Sequence, residues 1–383
     1  MNDRLRILTV LGTRPEIIRL SRVIPALDAV SDHVLVHTGQ NFTENLSDVF
    51  FSQLGVRAPD VHLGVDTSSL GRQLATLFEG FEQQLDERRP DRVLILGDTN
   101  SGLVAYNCCR RGIPVYHMEA GNRCYDDRVP EEVNRRVIDH SSAVLLPYTH
   151  RSAANLEREG IARHRIFVTG NPINEVLEHY GQRIDGANAM GQLGLEPGRY
   201  LLATMHRAEN VDREAVLDDL CRALIQVANL YELPLILSIH PRVERRLAEG
   251  VFAGTRVRPV PAMGFFEFVK LEKHAALVLT DSGTVQEECA ILRVPVITIR
   301  DTTERPETVE AGSNIVASTD PERITAAAEF LRTRGPRGAW APPPEYLERN
   351  VSDKIVRILL SNPAWASGAA AGARLAIPAE GVQ

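Results

Sequence analysis

The feature that most constrains the fold is a repeated alternation of short apolar runs with longer helical segments. Runs such as RILTVL at Arg6–Leu11 and VLIL at Val93–Leu96 are apolar on both faces, which is typical of parallel strands covered by helices. A turn and a helix over Glu16–Val30 follow the first run, and this order predicts a doubly wound α/β sheet. Six strands are predicted here: Arg6–Leu11, His33–His37, Val93–Leu96, Val115–His117, Val144–Leu146 and Ile166–Val168.

The same pattern restarts after a break at Glu196-Pro197-Gly198. Helices are predicted over Arg213–Leu230 and Val285–Leu292, between strands that again lack a polar face. Five strands are predicted in this half: Leu201–Thr204, Leu235–Ser238, Val257–Val260, Leu277–Leu279 and Val296–Ile299. The chain therefore predicts two Rossmann-like, doubly wound parallel-sheet domains, whose strand carboxyl ends face a shared cleft.

We place the first domain at residues 1–170 and the second at 171–360, with a final helix over Ser352–Leu360 that packs on the body. The length of 383 residues suits two such domains of roughly 170 to 190 residues each. Residues 361–383 are rich in alanine and glycine, and we expect them to form a mobile tail.

Composition excludes several classes of protein. A net charge of −7 argues against a general nucleic-acid role. No stretch approaches the ~20 apolar residues of a membrane span, and the N-terminal apolar run is too short for a signal peptide. Five cysteines without a framework spacing predict a reducing cytoplasm.

The stretch LGTRPEIIRL, residues 11 to 20, marks the first strand-to-helix turn. Gly12 suits the tight turn, and Pro15 suits the first turn of a helix, where its missing N–H costs nothing. Arg14 and Arg19 flank a helix start whose free N–H groups favour a phosphate or carboxylate. An ordinary turn with a surface arginine remains the alternative. The glycine fingerprint of a dinucleotide site is absent, which removes the main support for a nicotinamide cofactor.

Three acids follow predicted strands or open a helix. Asp98 follows a buried strand in LGDTNSG, Glu119 follows Val115–His117, and Glu131 follows Pro130 at a helix start. Neighbouring carboxylates raise each other's pKa, which allows one to act as acid and another as base. Capping of the next helix is the alternative for Asp98. The other acids of this stretch are interpreted as solvated, salt-bridged loop residues: Asp126, Asp127 and Glu132.

Two histidines in the second half follow strands in the same way. His206 stands beside Arg207 in TMHRAEN, and His240 occupies SIHPRV. A histidine at a strand's carboxyl end beside arginine suits an anion contact or a general acid, although lone histidines are more often structural.

The clearest local signature is LTDSGTVQEE, residues 279 to 288. Ser282-Gly283-Thr284 opens a helix, and its N–H groups and hydroxyls suit a diphosphate. Glu288 lies about one and a half turns further along, where it can reach a ribose hydroxyl pair. A serine cap with a glutamate on the helix side is the alternative. RDTTERPE, residues 300 to 307, adds another polar rim.

Other catalytic classes lack support. No zinc-ligand spacing appears, although the acids leave Mg²⁺ or Mn²⁺ on a phosphate open. The G-x-S-x-G motif of a serine hydrolase is also missing.

Taken together and in order, the motifs GTRPE, GDT, H-x-EAG, PEE-x-NR, DSG-x-x-QEE and RDTTERPE resemble those of the non-hydrolysing UDP-N-acetylglucosamine 2-epimerases. The resemblance covers about residues 5 to 360. It implies a GT-B architecture, a cytoplasmic homodimer, a UDP-sugar substrate and no cofactor. It also implies a reaction in which a base removes the C2 proton, UDP leaves in anti fashion, and UDP adds back to a bound 2-acetamidoglucal.

The resemblance also implies roles for residues. By motif position, Asp98, Glu119 and Glu131 match the catalytic carboxylates and His206 the catalytic histidine. Arg14 matches the phosphate-side arginine, Ser282, Gly283 and Thr284 the diphosphate loop, Glu288 the ribose contact and Phe268 a neighbour of uracil. Further substrate contacts are predicted at Arg19, Arg135, Arg207, His240 and Arg305.

This chain departs from the family pattern at several positions. Arg19 stands where lysine is common, and TGQNFTEN lacks the histidine and second glutamine of the usual activator site. HTGQN, MEAGNRC and MHRAEN also resemble a subgroup that epimerises 6-deoxy UDP-sugars on the route to UDP-N-acetyl-L-fucosamine. A GT-B glycosyltransferase, a non-catalytic UDP-sugar-binding regulator and a hydrolysing relative are the remaining alternatives.

Overall fold

The computed structural model of the chain describes residues 4–40, 44–239, 241–335 and 337–361. The chain divides into two compact units. Of the described residues, unit 1 contains those within 4–122, 127–172 and 350–361, and unit 2 contains those within 123–126 and 173–349. The predicted mobile tail, from residue 362 onwards, lies outside the described residues.

Unit 1 is built on a six-stranded parallel sheet. Its strands are β1 (Arg6–Leu11), β2 (Asp32–His37), β3 (Val61–His62), β4 (Arg92–Leu96), β5 (Val115–Met118) and β6 (Val144–Leu146). Their order is β3-β2-β1-β4-β5-β6, which is the doubly wound order with the first strand at the centre.

The prediction of a strand at Ile166–Val168 was wrong. Ile166 makes only a single bridge to Leu145 of β6. Pro147 follows β6 directly and has no N–H to continue the ladder. The sixth strand is instead the edge strand β3, which the sequence analysis missed because two residues show no alternation.

The helices of unit 1 connect and cover these strands. They are α1 (Arg14–Leu20), α2 (Val23–Val30), α3 (Glu44–Leu54), α4 (Leu70–Arg88), α5 (Val104–Arg110), α6 (Pro130–Ser141) and α7 (His150–Arg158), with 3₁₀ turns at Asn100–Leu103 and Arg163–Arg165. The predicted helix over Glu16–Val30 is two helices. Pro25 cannot donate a hydrogen bond to the carbonyl of Ser21, so the helix breaks between them.

Unit 2 repeats the topology. Its helices before the sheet are α8 (Ile173–His179), α9 (Gly181–Gly186) and α10 (Ala189–Leu193). Its strands are β7 (Leu201–Met205), β8 (Leu235–Ile239), β9 (Val257–Pro261), β10 (Leu277–Thr280), β11 (Val296–Thr298) and β12 (Asn314–Val316), in the order β12-β11-β10-β7-β8-β9. The short edge strand β12 was missed for the same reason as β3.

The remaining helices of unit 2 cover both faces of its sheet. They are α11 (Ala208–Val211), α12 (Glu214–Tyr231), α13 (Pro241–Glu244), α14 (Phe265–His274), α15 (Gly283–Leu292), α16 (Pro306–Glu310) and α17 (Pro321–Arg334), followed by a 3₁₀ turn at Pro344–Leu347. Along β7, Leu201 and Ala203 pack into one apolar cluster and Leu202 into another. This alternation buries both faces of the strand, and the predicted fold class, α/β with two Rossmann-like doubly wound parallel sheets, is confirmed.

The last helix, α18 (Val351–Leu360), belongs to unit 1 and contacts α2. Its buried residues Val351, Ile355 and Leu359 recur every four positions and form one apolar stripe. The first unit is therefore discontinuous in sequence, whereas the predicted second domain ran to residue 360. The change of unit near residue 172 lies two residues beyond the predicted boundary at 170.

Candidate functional site

Neighbouring strand ends of unit 1 carry the predicted acids and bases. Strands β1, β4 and β5 lie side by side. Arg14 begins α1 after β1, Asp98 follows β4, and Glu119 follows β5 directly. Glu131 is the second residue of α6, which contacts the 3₁₀ turn after Asp98. The structure thus places these four residues at one edge of the first sheet.

Glu119 forms an ion pair with Arg19. One guanidinium nitrogen of Arg19 contacts Glu119 Oε2, and the two side chains are only 3% and 6% exposed. The φ angle of Glu119 is +67°, in the left-handed region that residues with a Cβ rarely adopt. Arg19, predicted as a substrate contact, is here the charge partner of a predicted catalytic acid. A strained, buried and paired carboxylate is typical of a functional position.

Asp98 forms a second such pair, with Arg135. The Nε and one terminal nitrogen of Arg135 lie 3.1 and 2.5 Å from Asp98 Oδ2. The other terminal nitrogen lies 2.5 Å from Glu132 Oε2. Glu132 is fully buried, so the prediction that it is a solvated loop residue was wrong. Arg135 is therefore held between two carboxylates and presents Asp98 at the strand end.

At the turn before α1, a carboxyl group of the chain itself contacts the backbone. The N–H groups of Gly12 and Thr13 donate to Glu16 Oε2 at 2.5 and 3.0 Å, and the Thr99 hydroxyl donates to Oε1 at 2.9 Å. Burial raises the pKa of Glu16 to about 7. Two N–H groups of this turn, those of Gly12 and Thr13, are thus occupied by the chain's own carboxyl group. The spacing T-x-x-E was the available signal, because it is the capping-box pattern.

Arg14 stands apart from this internal cap. It is half-buried, and its guanidinium lies over the ring of Phe50, 5.7 Å from the ring centroid. Gly12 is required beside it, because a Cβ there would overlap the hydroxyls of Thr38 and Ser101. The tight turn predicted for Gly12 therefore reflects close approach of two neighbouring strand ends.

A buried histidine connects the strand ends that carry Asp98 and Glu119. His117 Nδ1 lies 2.8 Å from Asp139 Oδ1, and His117 Nε2 donates to the carbonyl of Gly97 at 2.8 Å. The other oxygen of Asp139 accepts from the N–H of Gly121 at 3.2 Å. The pair thus ties the residues before Asp98 and after Glu119 to α6. Sequence reasoning missed it, since nothing local links positions 22 residues apart.

In unit 2, the predicted diphosphate loop begins helix α15. Ser282 precedes the helix in an extended conformation, and its side chain accepts no capping hydrogen bond from the N–H groups of the helix. Its hydroxyl lies 2.9 Å from that of Thr284. A Cβ on Gly283 would come within 2.7 Å of Glu304 Oε1. A ten-residue helix with two hydroxyls at its start is a suitable anion-binding end.

Asp281, directly before this loop, is the main functional candidate that the sequence analysis missed. It is fully buried and accepts hydrogen bonds from the N–H groups of His206 and Arg207, both at 2.9 Å. The amide of Asn210 donates to it at 3.2 Å, and His206 Nδ1 lies 3.2 Å from its Oδ1. The His206 side chain is 43% exposed. An acid after a strand was the same signal that selected Asp98.

Three arginines of unit 2 surround buried acids. Arg207 lies 3.4 Å from Glu304, and Arg300 lies 3.1 Å from the same carboxylate. Arg305, predicted as a substrate contact, is 3% exposed and contacts Glu287, which is fully buried. Arg305 therefore has an internal charge partner, while Arg207 lies nearer the exposed His206.

The other predicted nucleotide contacts are placed as follows. Glu288 is 5% exposed on α15. Phe268 is half-buried on α14 and packs against the apolar cluster beneath the sheet. The predicted contact at His240 lies outside the described residues.

Within the described ranges, no group of three or more His, Cys, Asp or Glu side chains is arranged to hold a metal ion. Among the helices that the structure describes, none has the length and hydropathy to cross a bilayer.

Comparison with known proteins identifies relatives along almost the whole chain. The family model described as UDP-N-acetylglucosamine 2-epimerase matches residues 26–360. The UDP-N-acetylglucosamine 2-epimerase of Methanocaldococcus jannaschii is 38% identical over 91% of this chain and 97% of its own length. A crystal structure from the same organism, in complex with UDP-GlcNAc and UDP, has a TM-score of 0.87 and covers 93% of this chain and 99% of its own.

One further relative is named for a different sugar, and one structural neighbour shares only the fold. A UDP-2,3-diacetamido-2,3-dideoxy-D-glucuronate 2-epimerase of Pseudomonas aeruginosa is 34% identical over 85% of this chain and 91% of its own length. The glycosyltransferase WaaG, at 14% identity and a TM-score of 0.60 over 93% of this chain and all of its own, shares the fold alone.

Proposed function

Because the chain belongs to the UDP-N-acetylglucosamine 2-epimerase family, we propose that it interconverts UDP-GlcNAc and UDP-ManNAc without hydrolysis. The observation that carries this proposal is the pairing of acids with arginines at the edge of the first sheet: Glu119 with Arg19 and Asp98 with Arg135. An anionic nucleotide sugar at this edge would therefore face both arginines and carboxylates, and not carboxylates alone.

The reaction consists of an elimination and an addition. A carboxylate of unit 1 takes the proton from C2, the C1–O bond to UDP breaks, and a double bond forms between C1 and C2. Return of a proton to the opposite face of C2 and re-addition of UDP at C1 give the epimer. We assign the proton transfers to Asp98, Glu119 and Glu131, because positioned carboxylates catalyse such steps.

Unit 2 is assigned to the departing UDP. Ser282, Gly283 and Thr284 at the start of α15 suit the diphosphate. His206 is assigned to the charge that develops on the leaving phosphate, since Asp281 positions its ring through Nδ1 and the side chain is 43% exposed. Glu288 is assigned to the ribose, Phe268 to uracil, and Arg14 and Arg207 to phosphate charge.

Elimination and re-addition are redox-neutral, so the proposal includes no nicotinamide cofactor. We also propose that the protein forms a homodimer, as the family resemblance implies. We also propose that the protein is cytoplasmic. The five cysteines support this location because none forms a disulfide.

A second substrate class is a related UDP-sugar. The 34% identity to a UDP-diacetamido-glucuronate epimerase shows that sequences this similar act on sugars altered at other carbons. A 6-deoxy UDP-N-acetyl sugar is the candidate that the motif resemblance favours. A GT-B glycosyltransferase, which transfers the sugar to an acceptor, is less consistent with several acids at one sheet edge.

Proton NMR of the purified protein with UDP-GlcNAc in D₂O tests the proposal. A new UDP-ManNAc anomeric signal with deuterium at C2 is expected. Exchange with a 6-deoxy substrate and none with UDP-GlcNAc would move the assignment to that sugar. Release of UDP without exchange at C2, or no reaction with either sugar, would overturn the epimerase proposal.

A further inference from the structure

A buried side-chain amide, that of Gln286, joins three parts of unit 2 and has no role in the reaction described above. Gln286 is fully buried on α15. Its Nε2 donates to the carbonyl of Ser282 at 3.2 Å. Its Oε1 accepts from the Thr303 hydroxyl at 2.6 Å and from the Asn314 amide at 3.0 Å. One side chain thus connects the loop assigned to the diphosphate, the polar stretch at residues 300–307 and the edge strand β12.

The directions of these hydrogen bonds are fixed, because a backbone carbonyl can only accept. The nitrogen of the Gln286 amide must face the Ser282 carbonyl, so its oxygen faces the other two partners. Asn314 must therefore present its NH₂ group to Gln286, and its own oxygen accepts from the Thr298 hydroxyl at 2.8 Å. The orientation of both amides follows from their partners.

The network ends on the backbone of Arg305. Thr303 Oγ1 accepts from the N–H of Arg305 at 3.0 Å. The Asn314 amide also donates to Thr308 Oγ1 at 3.1 Å, and this hydroxyl donates to the carbonyl of Arg305 at 2.7 Å. Thr308 and Asn314 are both buried. The stretch that carries Arg305 is therefore held at a fixed position relative to the start of α15.

The contact with Ser282 acts on the peptide group that Ser282 shares with Gly283. The carbonyl of a residue that caps a helix accepts the first backbone hydrogen bond of that helix, and the Gln286 amide adds a second donor to it. The peptide group is planar, and its C=O and N–H point in opposite directions. Gly283 is the first residue of α15, so its N–H has no partner within the helix. Holding the carbonyl therefore directs this N–H outward, where an anion binds.

We propose that Gln286 is a positioning residue for the diphosphate: its amide fixes the peptide group between Ser282 and Gly283, so that the donors of this loop are oriented before UDP binds. This rests on the proposed function, in which Ser282, Gly283 and Thr284 bind the diphosphate. Gln286 is buried and acts through the loop. Donors that are already oriented strengthen binding, because less conformational freedom is lost when the ligand arrives.

The proposal predicts how the protein distinguishes UDP from uridine, which lacks both phosphates. Calorimetric affinities for the two ligands are compared in the full-length protein and in Gln286→Met. Methionine has a similar size but no amide, so UDP should bind about tenfold more weakly. Uridine affinity should stay within about twofold, since uridine makes no phosphate contact. The preference for UDP over uridine should therefore fall several-fold.

Thr298→Val is the matched control. Among the described residues, the hydroxyl of Thr298 bonds to Asn314 alone, and Thr298 is fully buried. This variant removes one hydrogen bond of the same network without a direct effect on the loop at Ser282. It should unfold at lower urea concentration and keep the native preference for UDP. An equal loss of preference in Thr298→Val would show that general weakening of unit 2 explains the effect, and would overturn the proposal.

A further variant separates this proposal from the proposed function. Thr284→Val removes a hydroxyl assigned to the diphosphate, and an unchanged preference for UDP would mean that this assignment is wrong and that the role of Gln286 falls with it. If Thr284→Val lowers the preference but Gln286→Met keeps it, only the role of Gln286 is wrong.

Thr303→Val gives the same test should Gln286→Met fail to fold. Thr303 is half-buried, and its hydroxyl is one of two donors to Gln286 Oε1. Loss of this donor should lower the preference for UDP about threefold. A preference equal to that of the native protein would then overturn the proposal.

Discussion

At the scale of single residues, the candidate site consists of paired charges. Glu119 is paired with Arg19, Asp98 with Arg135, and the backbone and ring of His206 contact Asp281. Removing one member of a buried pair leaves the other uncompensated, at a cost of about 3–5 kcal/mol. Amide replacements, which keep shape and hydrogen bonding, are therefore the informative changes.

Asp98→Asn and Glu131→Gln should each lower kcat by about 10²- to 10⁴-fold, because an amide cannot accept the proton. UDP affinity, measured by calorimetry, should change little, since neither residue is assigned to the nucleotide. Asp127→Asn is the matched control, because Asp127 lies in the same stretch with a side chain that is 73% exposed. Rates close to the native enzyme in either test variant would remove that acid from the mechanism.

Asp281→Asn should lower kcat by at least about tenfold. The amide oxygen can still accept from the N–H groups of His206 and Arg207, but the amide NH₂ would face His206 Nδ1. The ring hydrogen of His206 would then stay on the outer nitrogen, and the ring would lose the carboxylate charge that stabilises its protonated, cationic form. The pH profile of kcat and the ¹⁵N resonances of His206 report this change, and an unchanged profile with unchanged resonances would contradict it.

At the scale of elements, two helix starts that look alike in sequence differ in structure. Before α1, the N–H groups of Gly12 and Thr13 donate to Glu16, whereas Ser282 makes no side-chain cap on α15. The internal cap has a consequence for stability, because the pKa of Glu16 is raised to about 7 by burial.

Glu16→Gln should remove a pH dependence from the free energy of unfolding. With a folded pKa of about 7 against an ordinary 4.5, the native state keeps a proton that the unfolded chain has lost within this window. Stability therefore falls as pH rises from 4.5 to 7 and is then constant, with a total on the order of 3 kcal/mol. Urea denaturation at about pH 5 and about pH 8 measures the difference. An equal pH dependence in the variant would show that Glu16 ionises normally.

At the scale of the whole molecule, α18 returns to unit 1 after the chain has completed unit 2. A helix distant in sequence is thus part of the core of the first unit, where it contacts α2. The apolar stripe of α18 stabilises that unit by burial.

Ile355→Ala should lower the free energy of unfolding by about 2–5 kcal/mol, since Ile355 is fully buried. Leu360→Ala, at the same helix but 41% exposed, should change it by no more than about 0.5 kcal/mol. Urea midpoints of the two variants make the comparison. Equal midpoints would mean that the stripe of α18 does not stabilise unit 1.

The order of strands and helices was predictable because each is encoded in a local pattern. Strands β1, β4, β7 and β10 were predictable because their sequences are apolar on both faces. Strands of two or three residues, such as β3 and β12, are too short to show a pattern. The strand-end positions of Asp98, Glu119 and His206 followed from the same local reading, since parallel strands present their carboxyl ends at one edge.

The sequence by itself therefore determined the two doubly wound sheets, the family and the strand-end positions of the candidate acids. Only the tertiary structure decided which charge meets which: Arg19 with Glu119 across 100 residues, Arg135 with Asp98, and Arg305 with Glu287. Local patterns depend on chain periodicity over a few residues. Ion pairs, buried protons and the return of α18 depend on distances between elements, which are set only when the sheets and helices pack.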